Sequence, residues 1–338
     1  MKKILILLLS LLMLLTVTGC TSKQEPASEI ETTVTYPVTV KDQAGRDVTI
    51  ETEPEKLVSG YYISTSTCIA LGLKDKLVGI EAKAKSRPIY SLSAPELIDL
   101  PNVGSAKEFN LEGCIALEPD LVILPKKLKD AAETISELGI PVLLVNPEDE
   151  TLLEEMITLI GTATGRIAEA NALLSFNDKY QQSLQEKTAD VTKPAVYLAG
   201  NSDILSTAGK NMYQSTMIEL AGGTNVAEDI EDTYWAEISL EQLLAYDPEY
   251  IVIASDAGYT VEDVMNNPDY SLLNAVKDNK VLKMPGNVES WDSPVPSSVL
   301  GSVWLCSRLH PDLISEGYCD SIIEEYYETF YGFTYKAQ

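Results

Sequence analysis

Histidine is nearly absent from this 338-residue chain, His310 being the only one. Sites for bare zinc or manganese usually combine several imidazoles with carboxylates, so a histidine cage for a naked ion is disfavoured, as is an axial histidine on haem iron. Nucleophilic catalysis loses its commonest base in the same way. His310 precedes Pro311 at a helix end, where packing or capping is the ordinary role, and no GxSxG elbow occurs. Cysteine is scarce, at five residues with no CxxC pair, which removes the usual spacing of a structural zinc site. A chain this long can bury a full core without covalent staples, so Cys68, Cys114, Cys306 and Cys319 are expected as free, mostly buried thiols. Basic residues are few, 25 against 51 acidic ones. Long-range repulsion from phosphate backbones excludes nucleic acid as a natural partner; the acidic surface keeps the chain soluble.

What is present begins with Met1-Lys2-Lys3 and an apolar run from Ile4 to Val17, broken only by Ser10 and Thr16 and ending at Thr18-Gly19-Cys20. A positive start, a short apolar core and small residues before a cut are the pattern of an export signal, here 1–19; the run is short for a spanning helix of about 20 residues. An extracytoplasmic location follows. Removing Lys2 and Lys3 leaves 23 basic against 51 acidic residues, a formal charge of −28. Residues 20–36 read as a flexible tether, polar and without apolar periodicity.

The remaining length suggests two domains. Short β-branched or aliphatic runs at 56–59, 77–80, 121–124 and 142–145 alternate with helical stretches such as 129–138, and a second set of strands is expected at 195–199, 251–254 and 281–284. Alternating strands and helices indicate an α/β fold of βαβ units with mostly parallel sheets. A hairpin is expected ahead of them, with strands 38–40 and 48–50. Between the two sets lies a strand-free helical region. Thr151 is placed to cap a helix ended by Gly165, and a second helix from Arg166 to about Thr188 carries Ile167, Ala170, Leu174, Tyr180 and Leu184 on one face. The expected organisation is therefore an N-terminal lobe at 37–150, a helical linker at 151–190 containing one long α-helix that joins the lobes, and a C-terminal lobe at 191–338. A helix is a stiff joint, so small opening motions are expected rather than wide hinge closure.

Ligands of two-lobed α/β proteins lie at the carboxyl ends of the strands. The loops there contain Tyr61 and Tyr62, then the stretch 83–90 with Lys83, Lys85, Arg87 and Tyr90, then Lys210 and Tyr213, Tyr234 and Trp235, and finally 289–296 with Trp291. The binding set expected from these loops is Tyr61, Tyr62, Arg87, Tyr90, Lys210, Tyr213, Trp235 and Trp291. Their rings suit a large planar or aryl-rich ligand, and Arg87 or Lys210 can meet carboxylates or catecholates. An oxyanion held by Arg87 and tyrosines is compatible with the same residues. Trp304 is at helical spacing from Leu300 and is expected in the core.

An internal repeat adds a second kind of site. Asn110-Leu111-Glu112 and Ser239-Leu240-Glu241 each open a helix that turns at Pro119 or Pro248 and enters a strand, at a constant offset of 129 residues. Taken singly, a carboxylate in a first helical turn complements the helix dipole, an effect of about 0.3–1 kcal/mol. With 118–122 (EPDLV), 218–226 (IELAGGTNV), 235–241 (WAEISLE), 297–300 and 309–311, the pattern from 38 to 332 resembles the iron-siderophore, haem and cobalamin family of ABC transporter binding proteins. The resemblance implies two Rossmann-like lobes with mostly parallel sheets joined by one long α-helix, and a substrate-binding protein rather than an enzyme. It would be a monomer without cofactor or bound metal of its own, handing a metal chelate (a ferric siderophore, a corrinoid or haem) to an ABC permease dimer. It also implies that Glu112 and Glu241 dock into the permease. Val17-Thr18-Gly19-Cys20 resembles a bacterial lipobox, which implies lipid on Cys20 and anchoring to the cell membrane.

Overall fold

The computed structural model describes residues 33–231 and 235–336. The expected export signal, Cys20, the tether up to residue 32, and Tyr234 lie outside the described residues.

The hairpin forms as the alternation requires. Strands β1 (Val38–Lys41) and β2 (Asp47–Ile50) pair antiparallel, Val38 opposite Ile50. Val40, Val48 and Ile50 are buried while the hydroxyls of Thr39 and Thr49 meet at 2.9 Å on the other face, the period of two that a half-buried strand demands. Buried Asp42 holds the turn. Its carboxylate accepts from the backbone N–H of Ala44 and Arg46 and from the Arg46 guanidinium at 2.7 Å, and also from Leu144, which pins the hairpin to the first lobe. Gly45 closes the turn at φ +79°, a conformation that side chains disfavour.

The first lobe is built on β3 (Leu57–Ser59), β4 (Leu77–Ile80), β5 (Leu121–Pro125) and β6 (Val142–Val145), all parallel in the order β4-β3-β5-β6. β3, β5 and β6 are buried along their whole length, which explains why β5 and β6 read as continuous apolar runs. The second lobe holds β7 (Ala195–Ala199), β8 (Ser206–Thr207), β9 (Thr224–Asn225), β10 (Ala236–Glu237), β11 (Tyr250–Ile253) and β12 (Val281–Lys283). Its path is β10-β8-β7-β11-β12, with β9 also beside β7. β7, β9, β11 and β12 are parallel, whereas β8 runs antiparallel to β7 and β10, so this sheet is mixed. β8, β9 and β10 have two residues each, too few to carry a periodic signal.

Asp149, not Thr151, caps the helix Glu150–Thr164, its carboxylate accepting the Leu152 N–H at 2.8 Å. Asp149 is the last extended residue before the helix, the position from which a side chain best reaches those first free N–H groups. Gly165 at φ +71° ends the helix as expected. The next helix, Ile167–Thr188, is about 33 Å long at 1.5 Å per residue. Its buried stripe is Ala170, Leu173, Phe176, Asn177, Tyr180, Leu184 and Thr188; Ile167 and Leu174 are only partly covered. The stripe is displaced from the expected one because the helix is covered on more than one side, by Glu150–Thr164, Tyr213–Leu220 and Val299–Leu309. One apolar cluster consequently runs from β3 of the first lobe through Leu173 and Phe176 to β7 of the second. The C-terminal helix Glu316–Phe330 adds aromatic rings to this joint, with Phe176 and Tyr326 centred 5.3 Å apart. The four described cysteines are free and buried, and burial pushes their thiols up, Cys68 to about 12 and Cys114, Cys306 and Cys319 to about 11. Trp304 is buried, and His310 ends the Val299–Leu309 helix with Nε2 3.0 Å from the Gly222 carbonyl.

Candidate functional site

The helix Tyr62–Ala70 starts three residues after β3, and its first turn is polar. Ser64 Oγ donates to the Tyr61 carbonyl at 2.8 Å, and Ser59 and Ser64 share a hydrogen bond at 2.7 Å. Tyr61 and Tyr62 are thereby fixed at the carboxyl end of the first sheet, both partly exposed, with rings edge to face at 5.2 Å. The Arg87 guanidinium lies 3.9 Å from the centre of the Tyr62 ring, a cation–π contact that presets its orientation. Behind it, Glu81 follows β4 directly and is buried. Tyr90 donates to one of its oxygens at 2.7 Å and Thr65 to the other at 2.6 Å, while Arg87 Nε stands 3.5 Å away without a properly aligned hydrogen bond. Burial pushes the Glu81 carboxyl up, against the pull of Thr65, Tyr90 and Arg87.

The second lobe faces this wall with the loops after β11 and β12. A cavity of about 150 Å³ lies between, lined from one side by Tyr62, Ser66, Arg87 and Tyr90 and from the other by Asp256, Val288, Glu289 and Ser290. Glu289 spans the two lobes. Ser66 of the first donates to its Oε1 at 2.5 Å, Ser297 of the second to its Oε2 at 2.6 Å, and the Tyr331 hydroxyl lies 2.8 Å from Ser66 Oγ. Burial pushes Glu289 up, opposed by both serines and by Arg87. Asp292 is likewise pushed up by burial and held by the N–H and hydroxyl of Ser255. A larger groove of about 570 Å³ lies along β2, lined by Arg46, Thr49 and Asp120 among others, away from the strand ends and their loops.

Of the expected binding set, the cavity brings together Tyr62, Arg87 and Tyr90, with Tyr61 on the ring of Tyr62. Tyr90 is fully buried and acts on Glu81. The other four require correction. Trp291 belongs to the lining loop but turns inward: it is 1% exposed and donates to the Tyr327 hydroxyl at 2.8 Å, because Ser290 and Asp292 on either side take the outward and Ser255-facing positions. Tyr213 is buried and its hydroxyl donates to the Ser298 carbonyl, so it offers no open oxygen to iron; burial also pushes its phenol, and that of Tyr61, up and away from phenolate. Lys210 is exposed and Trp235 lies over Gly200; neither lines the cavity. Lys83 and Lys85 also stay exposed, so of the basic cluster only Arg87 turns inward. Glu81, Asp256 and Glu289 were not singled out beforehand. Their one sequence signal is an acidic residue closely following a strand.

Glu112 and Glu241 occupy matching places. Each sits exposed in the first turn of a short helix, Leu111–Ile115 capped by Asn110 and Leu240–Tyr246 capped by Ser239, leading into β5 and β11, the strands flanked by β3 and β6 and by β7 and β12. Among the described residues no group of three or more His, Cys, Asp or Glu is placed to hold a metal ion.

Two α/β lobes clamped by one long helix, with a polar cavity between their strand ends, define a solute-capturing protein. The chain belongs to the periplasmic binding protein family, whose sequence model matches residues 57–288. It is similar to the molybdate-binding protein MolA of Haemophilus influenzae, 27% identical over 88% of this chain and 92% of that protein. It is also similar to the ABC transporter substrate-binding lipoprotein YvrC of Bacillus subtilis, 28% identical over 88% of this chain and 93% of that one. A periplasmic solute binding protein from Veillonella parvula has the same fold, with a TM-score of 0.78 at 26% identity over 88% of this chain and 94% of that chain. The protein is thus the extracytoplasmic substrate-binding component of an ABC transporter, a non-enzymatic part whose partners are a ligand and a permease.

Proposed function

We propose that the ligand is a metal already wrapped in an organic chelator, a ferric siderophore before a corrinoid and a corrinoid before haem, resting on the mouth of the interlobe cavity. The observation that carries this reading is the wall of Tyr61, Tyr62 and Arg87, partly exposed and preset by edge-to-face and cation–π contacts, with no donor set for a bare ion among the described residues. Rings of this kind cover broad ligand faces at low entropic cost, and an arginine on a ring meets ligand oxygens in a fixed geometry. The cavity itself, about 150 Å³, is smaller than the roughly 300–1,000 Å³ usual for drug-sized ligands, so a chelate lies across the opening or parts the lobes slightly. Delivery to the permease dimer runs through Glu112 and Glu241, and lipid on Cys20 keeps the protein at the membrane.

The small cavity, its single arginine and the similarity to a molybdate-binding protein favour a second reading, a tetrahedral oxyanion. Absorbance titration and native mass spectrometry of the mature chain against ferric siderophores, cobinamide, haem and molybdate separate the two. A coloured complex weakened about tenfold or more by Arg87→Ala supports the chelate, since a charge-assisted contact of this type contributes roughly 1.5–3 kcal/mol. Binding of molybdate with no response to any chelate selects the oxyanion.

A further inference from the structure

The cavity carries opposite charges on opposite lobes, and they do not neutralise each other. Arg87 comes from the loop after β4 and Asp256 from the loop after β11, and both line the same cavity. The other two carboxyl groups near Arg87 are committed within the protein: Glu81 accepts from Thr65 and Tyr90 and stands 3.5 Å from Arg87 Nε as a loose ion pair within the first lobe, and Glu289 accepts from Ser66 and Ser297. Asp256 differs. It is exposed, forms no ion pair among the described residues, and uses only Oδ1, which accepts from the Ser290 hydroxyl at 3.0 Å. Arg87 in turn has a buried Nε without a hydrogen-bond partner.

Resting on the chelate reading above, we infer that the cleft selects a two-faced chelate, with electron-rich oxygens for Arg87 and a cationic ammonium arm for Asp256. Asp256 is then a specificity-determining residue. Each contact is charge-assisted and belongs to a different lobe, so a ligand that makes both ties the halves together. A ligand with negative charge on every side leaves Asp256 facing a like charge, and one with no donor arm leaves it desolvated and unpaired; both are discriminated against. Ferric trihydroxamates with a pendant amine have the required form, because their iron-bound oxygens carry the negative charge while the arm extends away from the metal.

The test uses the mature protein and two probes, a ferric trihydroxamate with a free ammonium arm and the same complex N-acetylated on that arm. Dissociation constants are read by quenching of intrinsic fluorescence. The wild type should prefer the ammonium form by about tenfold, which corresponds to about 1.4 kcal/mol. In Asp256→Asn, which keeps an oxygen for Ser290, the ratio between the two probes should collapse to about one. Equal affinities in the wild type, or a preference that survives in Asp256→Asn, overturn the inference. So does binding of neither probe while cobinamide, haem or ferric citrate binds, an outcome that leaves the chelate reading standing. If no chelate binds the wild type, the chelate reading falls as well.

Discussion

Ser66 and Glu289, 223 positions apart in the chain, share a hydrogen bond of 2.5 Å that crosses from one lobe to the other. The same carboxyl is held from its own lobe by Ser297, so a single buried side chain closes the cleft from behind. Glu289→Ala takes the acceptor from the buried Ser297 hydroxyl and leaves Ser66 only the Tyr331 hydroxyl, and a loss of about 1–3 kcal/mol in denaturant unfolding is expected for buried groups that lose their partner in this way. Glu289→Gln, which retains an oxygen, should lose less. Hydrogen exchange should quicken in Tyr62–Ala70 in the alanine variant, and unaltered exchange there would contradict a lobe-bridging role.

Trp291 was expected on the ligand wall and stands in the core. Trp291→Ala should therefore lower global stability by about 3–5 kcal/mol, the range for removing a buried indole. Trp291→Phe, which empties less of the site and frees the Tyr327 hydroxyl, should lose less than half of that. Ligand affinity of the phenylalanine variant should stay within about threefold of the wild type, since the ring touches no cavity surface. A selective loss of binding with full thermal stability would return Trp291 to the site.

Glu112 and Glu241 lie at equivalent helix starts, exposed and outside the cavity. The double alanine variant should bind ligand as the wild type does while uptake by whole cells is abolished, because its effect falls on the encounter with the permease. Undiminished uptake would remove both from the docking surface. Cys20→Ser, measured by fractionation, should move the protein out of the membrane fraction; retention there would contradict a lipid anchor.

A further carboxyl contributes to the pH dependence of stability. Glu150 is pushed up to about 7, first by burial and then by Glu154, Asp178 and Asp149, while Gln181 pulls the other way. A folded value above the unfolded one means that the native state binds the extra proton. Its contribution is therefore without penalty below about 4.5, and stability falls as pH rises from there through about 7. Glu150→Gln should thus raise the melting temperature at pH 8 and leave it unchanged near pH 4, an effect on the order of 1 kcal/mol since the group keeps some solvent contact. Equal shifts at both values would assign the gain to packing instead of charge.

The strand runs expected at 56–59, 77–80, 121–124 and 142–145 were legible because strands buried on both faces are predominantly apolar, a signal that needs no partner to be seen. The two helices around Gly165 and the matched Glu112 and Glu241 were legible for a similar reason, since glycine stops and repeats are written in neighbouring residues, although the cap expected at Thr151 is supplied by Asp149. The α/β class and the two lobes were thus settled by local chemistry. Which side of a loop faces a ligand is settled by distant residues. Trp291 turns inward because Tyr327 offers a hydroxyl from the last helix, and Arg87 turns toward the cleft because the Tyr62 ring lies beneath it. Glu81 and Glu289 became a pair of buried acids around one arginine only when two loops, 208 positions apart, met across the cleft. Burial and the desolvation that follows from it depend on the assembled neighbours, and no stretch of sequence carries them alone.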